Sequence, residues 1–209
     1  MTELEDRLRQ SRAAPLDRDR LAARLAGRAA DAGLLDVAYA RLDSPLGELL
    51  VAVTPRGLVR IAYEDEPEDA VLAELADRVS PRMLRAPERT DTVRRELTTY
   101  FAHRRRGFET PVDWSLVRGF ARGVLGATAR VPYGEVTTYS AMAAAAGSPR
   151  AYRAAGNALR SNPIPIVVPC HRVLHADGGL GGYAGGLDRK RFLLELEGGS
   201  PSLGALVQE

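Results

Sequence analysis

Residues 137–162 read T-T-Y-S-A-M-A-A-A-A-G-S-P-R-A-Y-R-A-A-G-N-A-L-R-S-N, and this stretch decides the C-terminal fold. The pattern predicts a short helix over 138–146 and a stop at Gly147. A second helix follows over 149–160, with Ser148 as its N-cap and Pro149 in its first turn. Two short helices around a glycine break form a helix-turn-helix, whose second helix is the recognition helix. That helix reads as almost bare, with Ala151, Ala154, Ala155, Gly156 and Ala158 as its small residues and Arg150, Arg153 and Arg160 projecting from it. A major-groove reader carries several long polar side chains for base edges. Small residues with isolated arginines suit sequence-indifferent contact in the minor groove. Two ordinary core helices would give the same break, so the motif alone does not establish DNA binding.

Residues 161–173, S-N-P-I-P-I-V-V-P-C-H-R-V, follow directly. A lone cysteine after an apolar run is ordinarily a small buried hydrophobe. Three features favour chemistry at Cys170. His171 and Arg172 adjoin it and can favour a thiolate. Prolines stiffen its backbone. The glycine-rich segment G-G-L-G-G-Y-A-G-G (178–186) can fold closely over a ligand. Neighbouring side chains diverge, so a basic role for His171 calls for a bridging water. A carboxylate would then orient the far ring nitrogen, and spacing leaves Asp177, Asp188, Glu195 and Glu197 all open.

Working outward, V-A-Y-A-R-L, G-E-L-L-V-A-V-T and G-L-V-R-I-A-Y-E (from Val37, Gly47 and Gly57) are short β-rich runs with turn signals between them. They predict a three-stranded antiparallel meander. Helices are expected over 68–79, over 90–104 with Val93, Leu97, Tyr100 and Phe101 on one face, and over 115–129 capped by Ser115. The fold class is therefore α+β: a domain over 36–113 with a small antiparallel sheet, then a mainly helical domain over 114–199. Residues 1–35 read as a helical or mobile arm, and 200–209 as a tail. Trp114 is expected to pack at the junction, and His103 and His175 to sit on the surface.

The chain has 209 residues, of which 45% are hydrophobic and 27% charged. This is ordinary globular composition and excludes collagen-like or wholly disordered chains. No apolar run reaches the ~18 residues of a membrane helix. One cysteine excludes an internal disulfide and a multi-cysteine metal site. With no signal-peptide core at the start, the expected setting is the reducing cytoplasm. The net charge of +2 conceals an asymmetry: residues 115–191 carry ten basic and three acidic groups, net +7, and the remainder is net −5. A basic half beside an acidic one is the coarse footprint of a nucleic-acid face.

Three elements together, V-P-Y-G-E-V-T-T-Y, S-N-P-I-P-I-V-V-P-C-H-R-V and G-Y-A-G-G-L-D-R-K-R-F-L-L-E-L-E-G, closely resemble the O6-alkylguanine-DNA alkyltransferases, or methylated-DNA–protein-cysteine methyltransferases. The strong resemblance covers about residues 131–198. The meander from about Val37 is similar to the family's ribonuclease-H-like domain.

The resemblance implies a single-turnover transfer of the O6-alkyl group of guanine, and of O4-alkylthymine, from duplex DNA to Cys170 after base flipping. It implies that His171 acts on the thiol through a water and that Glu197 orients His171. Asn162 would tie the active-site turn to the end of the recognition helix. Tyr139 would promote nucleotide rotation and protonate the leaving guanine, and Arg153 would fill the vacated stack. Ala151, Ala154, Gly156 and Arg160 would lie against DNA. Leu159, Val173, Tyr183, Ala184 and Gly185 would line the base pocket. No cofactor and no metal are expected. The partner is double-stranded DNA containing O6-alkylguanine, without a membrane, bound by a monomer with cooperative assembly left open. The alternatives are a non-catalytic damage sensor, which in this family lacks the cysteine, and a helix-turn-helix regulator. A papain-like hydrolase would need its histidine far from the cysteine in sequence.

Overall fold

The computed structural model describes residues 18–198. The tail at 200–209 and the first part of the arm, with Leu4, Leu8 and Pro15, lie outside the described residues. Helix α1 (Arg18–Asp31) leads in; its Ala26 packs with Ala38 and Ala86, while Leu21 and Leu25 are exposed.

Strands β1 (Val37–Leu42), β2 (Leu49–Thr54) and β3 (Gly57–Tyr63) form the expected antiparallel meander, with a register shift at Ala52/Val53. Helix α2 (Glu68–Arg78) follows, and a short strand β4 (Met83–Arg85) then pairs parallel to β1, giving the order β3-β2-β1-β4. The sequence reading had no β4, because three residues after Pro81 carry too little pattern to register.

Helix α3 spans Pro87–Phe101 rather than 90–104. Pro87 occupies the first turn, where its missing N–H costs nothing. The helix ends where His103 takes φ 56° and the Arg104 N–H turns back to the Thr99 carbonyl at 2.9 Å.

Ser115 does not cap a helix over 115–129. Asp113 accepts its N–H at 3.0 Å and holds a one-turn 3-10 helix (Trp114–Leu116). The α-helix, α4 (Gly119–Thr128), starts after the extended Arg118. Trp114 is half-buried against the core, with the Arg122 guanidinium 3.9 Å above its ring.

The helix–break–helix is present. The Thr138 hydroxyl accepts the Ala141 N–H at 3.2 Å and starts α5 (Tyr139–Ala145). Gly147, at φ 80°, lets the Ser148 N–H close on the Ala143 carbonyl at 2.9 Å. The recognition helix α6 is shorter than expected, Tyr152–Arg160. Ser148 and Pro149 form a separate turn, closed by the Ala151 N–H on the Ser148 carbonyl at 2.9 Å, so Ser148 is not its cap. The face reading also needs correction. Ala155 and Ala158 are buried inward, and Ala154, Arg153 and Arg160 point outward.

One apolar core runs from the sheet through α3 into α4, α5 and α6. The last helix, α7 (Leu187–Leu196), packs its Leu193 and Leu196 into it. The two halves also meet through the backbone, where the Ile61 N–H on β3 donates to the Pro163 carbonyl at 2.9 Å. Among the described residues, no helix is long and apolar enough to cross a membrane.

Candidate active site

Cys170 opens a one-turn 3-10 helix (Cys170–Arg172), which runs into a two-residue strand β6 (Val173–Leu174). That strand pairs in parallel with β5 (Thr137–Thr138), the entry to α5. A ladder of two pairs thus carries the recognition unit and the cysteine turn on one support.

The turn before Cys170 is built around Asn162, which is buried. Its Oδ1 accepts the Ile164 N–H at 3.0 Å, and its Nδ2 donates to the Val168 carbonyl at 2.8 Å and lies 3.1 Å from Cys170 Sγ. Ile166 is held at φ 74°, left-handed space that a β-branched residue occupies only under constraint from its surroundings. Val168 and Cys170 N–H groups close the turn on the Ile164 and Val168 carbonyls. Through these bonds Asn162 spans the turn from its position directly after α6.

Cys170 is buried. Burial pushes its thiol up to about 11, against the Asn162 donor and the Lys190 charge. The thiol is therefore protonated at rest, and the expectation that Arg172 favours a thiolate fails. Arg172 turns away from the sulfur: its Nε and Nη2 grip Glu197 at 2.8 and 2.7 Å, and its Nη1 donates to the Val131 carbonyl.

Glu197 stands where four acids were open on spacing. It caps the C-terminus of α7 and is buried. Besides Arg172, its Oε1 lies 3.1 Å from His171 Nε2 and accepts the Tyr100 hydroxyl at 2.6 Å. Its Oε2 accepts the Gly134 N–H at 3.3 Å. Gly134 sits at φ 78°, and a Cβ there would come within 3.0 Å of the Glu197 carbonyl. Burial alone would raise the Glu197 carboxyl, but the His171 and Arg172 hydrogen bonds outweigh it and hold it well below the carboxylate range. Burial lowers His171, opposed by Glu197. The pair at rest is a neutral imidazole beside a carboxylate. Its Nε2 then carries the proton, and Nδ1, buried without a protein hydrogen-bond partner, presents its lone pair.

Over the site lies the glycine-rich loop. Tyr139, half-buried, donates its hydroxyl to the Gly182 carbonyl at 3.3 Å and packs its ring under Gly156 of α6. His175 is exposed as expected, yet its ring lies 5.1 Å from that of Tyr139. Lys190 is fully buried; its Nζ donates to the Val173 carbonyl at 2.6 Å and to the Leu180 carbonyl. Burial lowers that ammonium to about 8. Leu159 and Val173 are buried in the core that contains Cys170, Tyr183 is half-buried against it, Gly185 is buried, and Ala184 is exposed.

The sequence reading missed Tyr100 and Lys190 as members of the site. A tyrosine 97 positions from its carboxylate partner leaves no local signal. Lys190 sits in a charged run, D-R-K-R, that reads as solvated surface.

Residues 37–114 match the family model described as the 6-O-methylguanine DNA methyltransferase ribonuclease-like domain, and residues 119–199 match that of the same enzyme's DNA-binding domain. The chain is 36% identical over 159 residues to the methylated-DNA–protein-cysteine methyltransferase of Methanosarcina barkeri, covering 76% of this chain and 96% of that one. It is 38% identical over 173 residues to the Homo sapiens protein of the same name, covering 78% and 83%. Among solved structures, Mycobacterium tuberculosis OGT in complex with DNA is similar at 35% identity and TM-score 0.66, covering 82% of this chain and 99% of that one. The chain belongs to the methylated-DNA–protein-cysteine methyltransferase family.

Proposed function

We propose that the protein repairs DNA by direct reversal, moving the O6-alkyl group of guanine onto Cys170 in one irreversible step. The carrying observation is a single buried thiol held by Asn162 beside a neutral histidine whose other nitrogen faces a fixed carboxylate. The DNA complex of the M. tuberculosis relative supports DNA as the partner.

The steps follow from the groups present. Guanine O6 is hidden in the duplex, so the nucleotide rotates out at a cost of a few kcal/mol. Arg153 is exposed on α6 and free to replace the lost stacking contacts. Ala151, Ala154 and Gly156 allow close approach of α6 to the backbone, and Arg160 adds charge at its end.

The base enters against Leu159, Val173 and the loop carrying Tyr183, Ala184 and Gly185. His171 Nδ1 takes the thiol proton through a water, and Glu197 stabilises the imidazolium. Cys170 Sγ bonds to the alkyl carbon as the carbon–O6 bond breaks. The departing guanine, left with the electron pair, receives a proton from Tyr139. The product thioether has no neighbour able to cleave it, so each chain reacts once. O4-alkylthymine fits the same sequence of steps.

One chain carries every group the transfer uses, so a monomer suffices. A reaction that consumes a free thiol suits the reducing cytoplasm. Titrating the protein against a duplex containing O6-methylguanine tests the reading. One guanine should be restored per chain, and none by Cys170→Ser. Several restored guanines per chain, or repair by the serine variant, would contradict it.

A further inference from the structure

The backbone bonds of the glycine-rich loop are local turns, His175 with Gly178 and Gly179 and Tyr183 with Gly186, and side chains tie it to the rest of the molecule. The Tyr139 hydroxyl takes the Gly182 carbonyl, and Lys190 takes that of Leu180. The third tether comes from the other half of the molecule. Tyr63, the last residue of β3, is 4% exposed. Its hydroxyl lies 2.7 Å from that of Tyr183.

We propose that Tyr63 is a positioning residue for substrate: through the Tyr63–Tyr183 hydroxyl pair it latches the loop onto the N-terminal sheet and so fixes the wall against which the alkylated base is held. This rests on the reading that the loop walls the base pocket.

The contact is built. The two rings meet edge to face, centroids 6.4 Å apart at 62°. Gly185 fits between them: a Cβ there would fall 2.5 Å from Tyr63 Cε2 and 2.9 Å from Tyr183 Cε1. Only a bare Cα admits this approach. Arg189 closes the other side. Its guanidinium lies 4.4 Å above the Tyr63 ring, while Nη1 bonds Asp65 at 2.8 Å and the Gly185 carbonyl at 3.2 Å. Among the described residues each hydroxyl has the other as its partner, and such a pair is worth one hydrogen bond when both are present. Losing it removes one of the loop's tethers, loosens the wall near Tyr183 and leaves the histidine–carboxylate pair untouched.

The test uses free O6-benzylguanine, which needs no extrusion from a duplex, and follows the loss of active protein with time. Tyr63→Phe should raise the concentration for half-maximal rate about 2- to 10-fold, the range of one net hydrogen bond. The limiting rate should stay within about twofold, because the proton chain is unchanged. Tyr183→Phe should raise the same half-saturating concentration, and in the double variant that concentration should be no higher than in either single. A purely structural tyrosine would instead lower the melting temperature without moving the half-saturating concentration. That outcome, or losses that multiply in the double variant, overturns the proposal. A parent protein that takes up no benzyl group removes the functional reading and this inference with it. A reactive parent matched by Tyr63→Phe at every concentration removes this inference alone.

Discussion

The buried surroundings of Glu197 and the outer face of α6 are opposites. Around Glu197, two oxygens receive bonds from Arg172, His171, Tyr100 and Gly134, contributed by segments far apart in the chain. On α6, Arg153 and Arg160 stand exposed on a helix of alanine and glycine. In the proposed function the first region stakes the fold and the chemistry on the same bonds. The second leaves long charged groups exposed, where the proposed function sets DNA. Damage to the first should cost stability and reactivity together. Damage to the second should cost reaction on duplex DNA alone.

The largest effect separating them is expected from Glu197→Ala. It leaves Arg172 and His171 buried without their partner, a loss of about 3–5 kcal/mol. Urea melts should show it as a lower midpoint. Arg153→Ala should stay within about 0.5 kcal/mol of the parent. Equal stability for both variants would erase the contrast.

Next in size is His171→Ala, which should slow alkyl transfer about 10²-fold or more at neutral pH. Because the Cys170 thiol sits up at about 11, recovery should come only at strongly alkaline pH. Glu197→Gln should add little to the His171→Ala loss, since the carboxylate works through the ring. Fully multiplied losses in the double variant would take Glu197 out of the mechanism.

Arg153→Ala should slow reaction on duplex DNA about tenfold or more while reaction with free O6-benzylguanine stays near the parent rate. Single-turnover kinetics on the two substrates decide this. Equal slowing would place Arg153 with the fold.

The smallest effect is the histidine step in the pH dependence of stability. His171 and Glu197 are both lower in the folded chain than free, so the unfolded chain binds more protons as the solution is acidified. Stability should be full above about pH 6.5, begin to fall below it as unfolded histidine protonates, and fall further below about pH 4.5. His171→Gln should remove the first step and keep the second. A stability curve flat from pH 7 to 5 in the parent would contradict the neutral imidazole.

The same contrast explains what the sequence disclosed. The meander was readable because alternating β-branched residues and tight turns are local signals, and β4 was not, being three residues long. Gly147 marked the helix break correctly. Ser148-Pro149 misled, because its turn closes on itself before α6 begins. The cysteine turn was legible in its prolines and asparagine, all within nine residues of each other. The carboxylate was not: spacing left four acids open, and family resemblance pointed to Glu197. Tyr100 and the direction of Arg172 depend on how distant segments meet, and adjacency to the cysteine suggested the wrong partner for that arginine.

In the proposed function the alkyl group ends on Cys170 and stays there. Intact-mass measurement after mixing the protein with a duplex containing O6-methylguanine tests it most directly. One methyl group should replace one hydrogen, mapped by peptide analysis to Cys170 and persistent on standing. Restored guanine beside an unmodified protein, or a methyl group on any other residue, would contradict it.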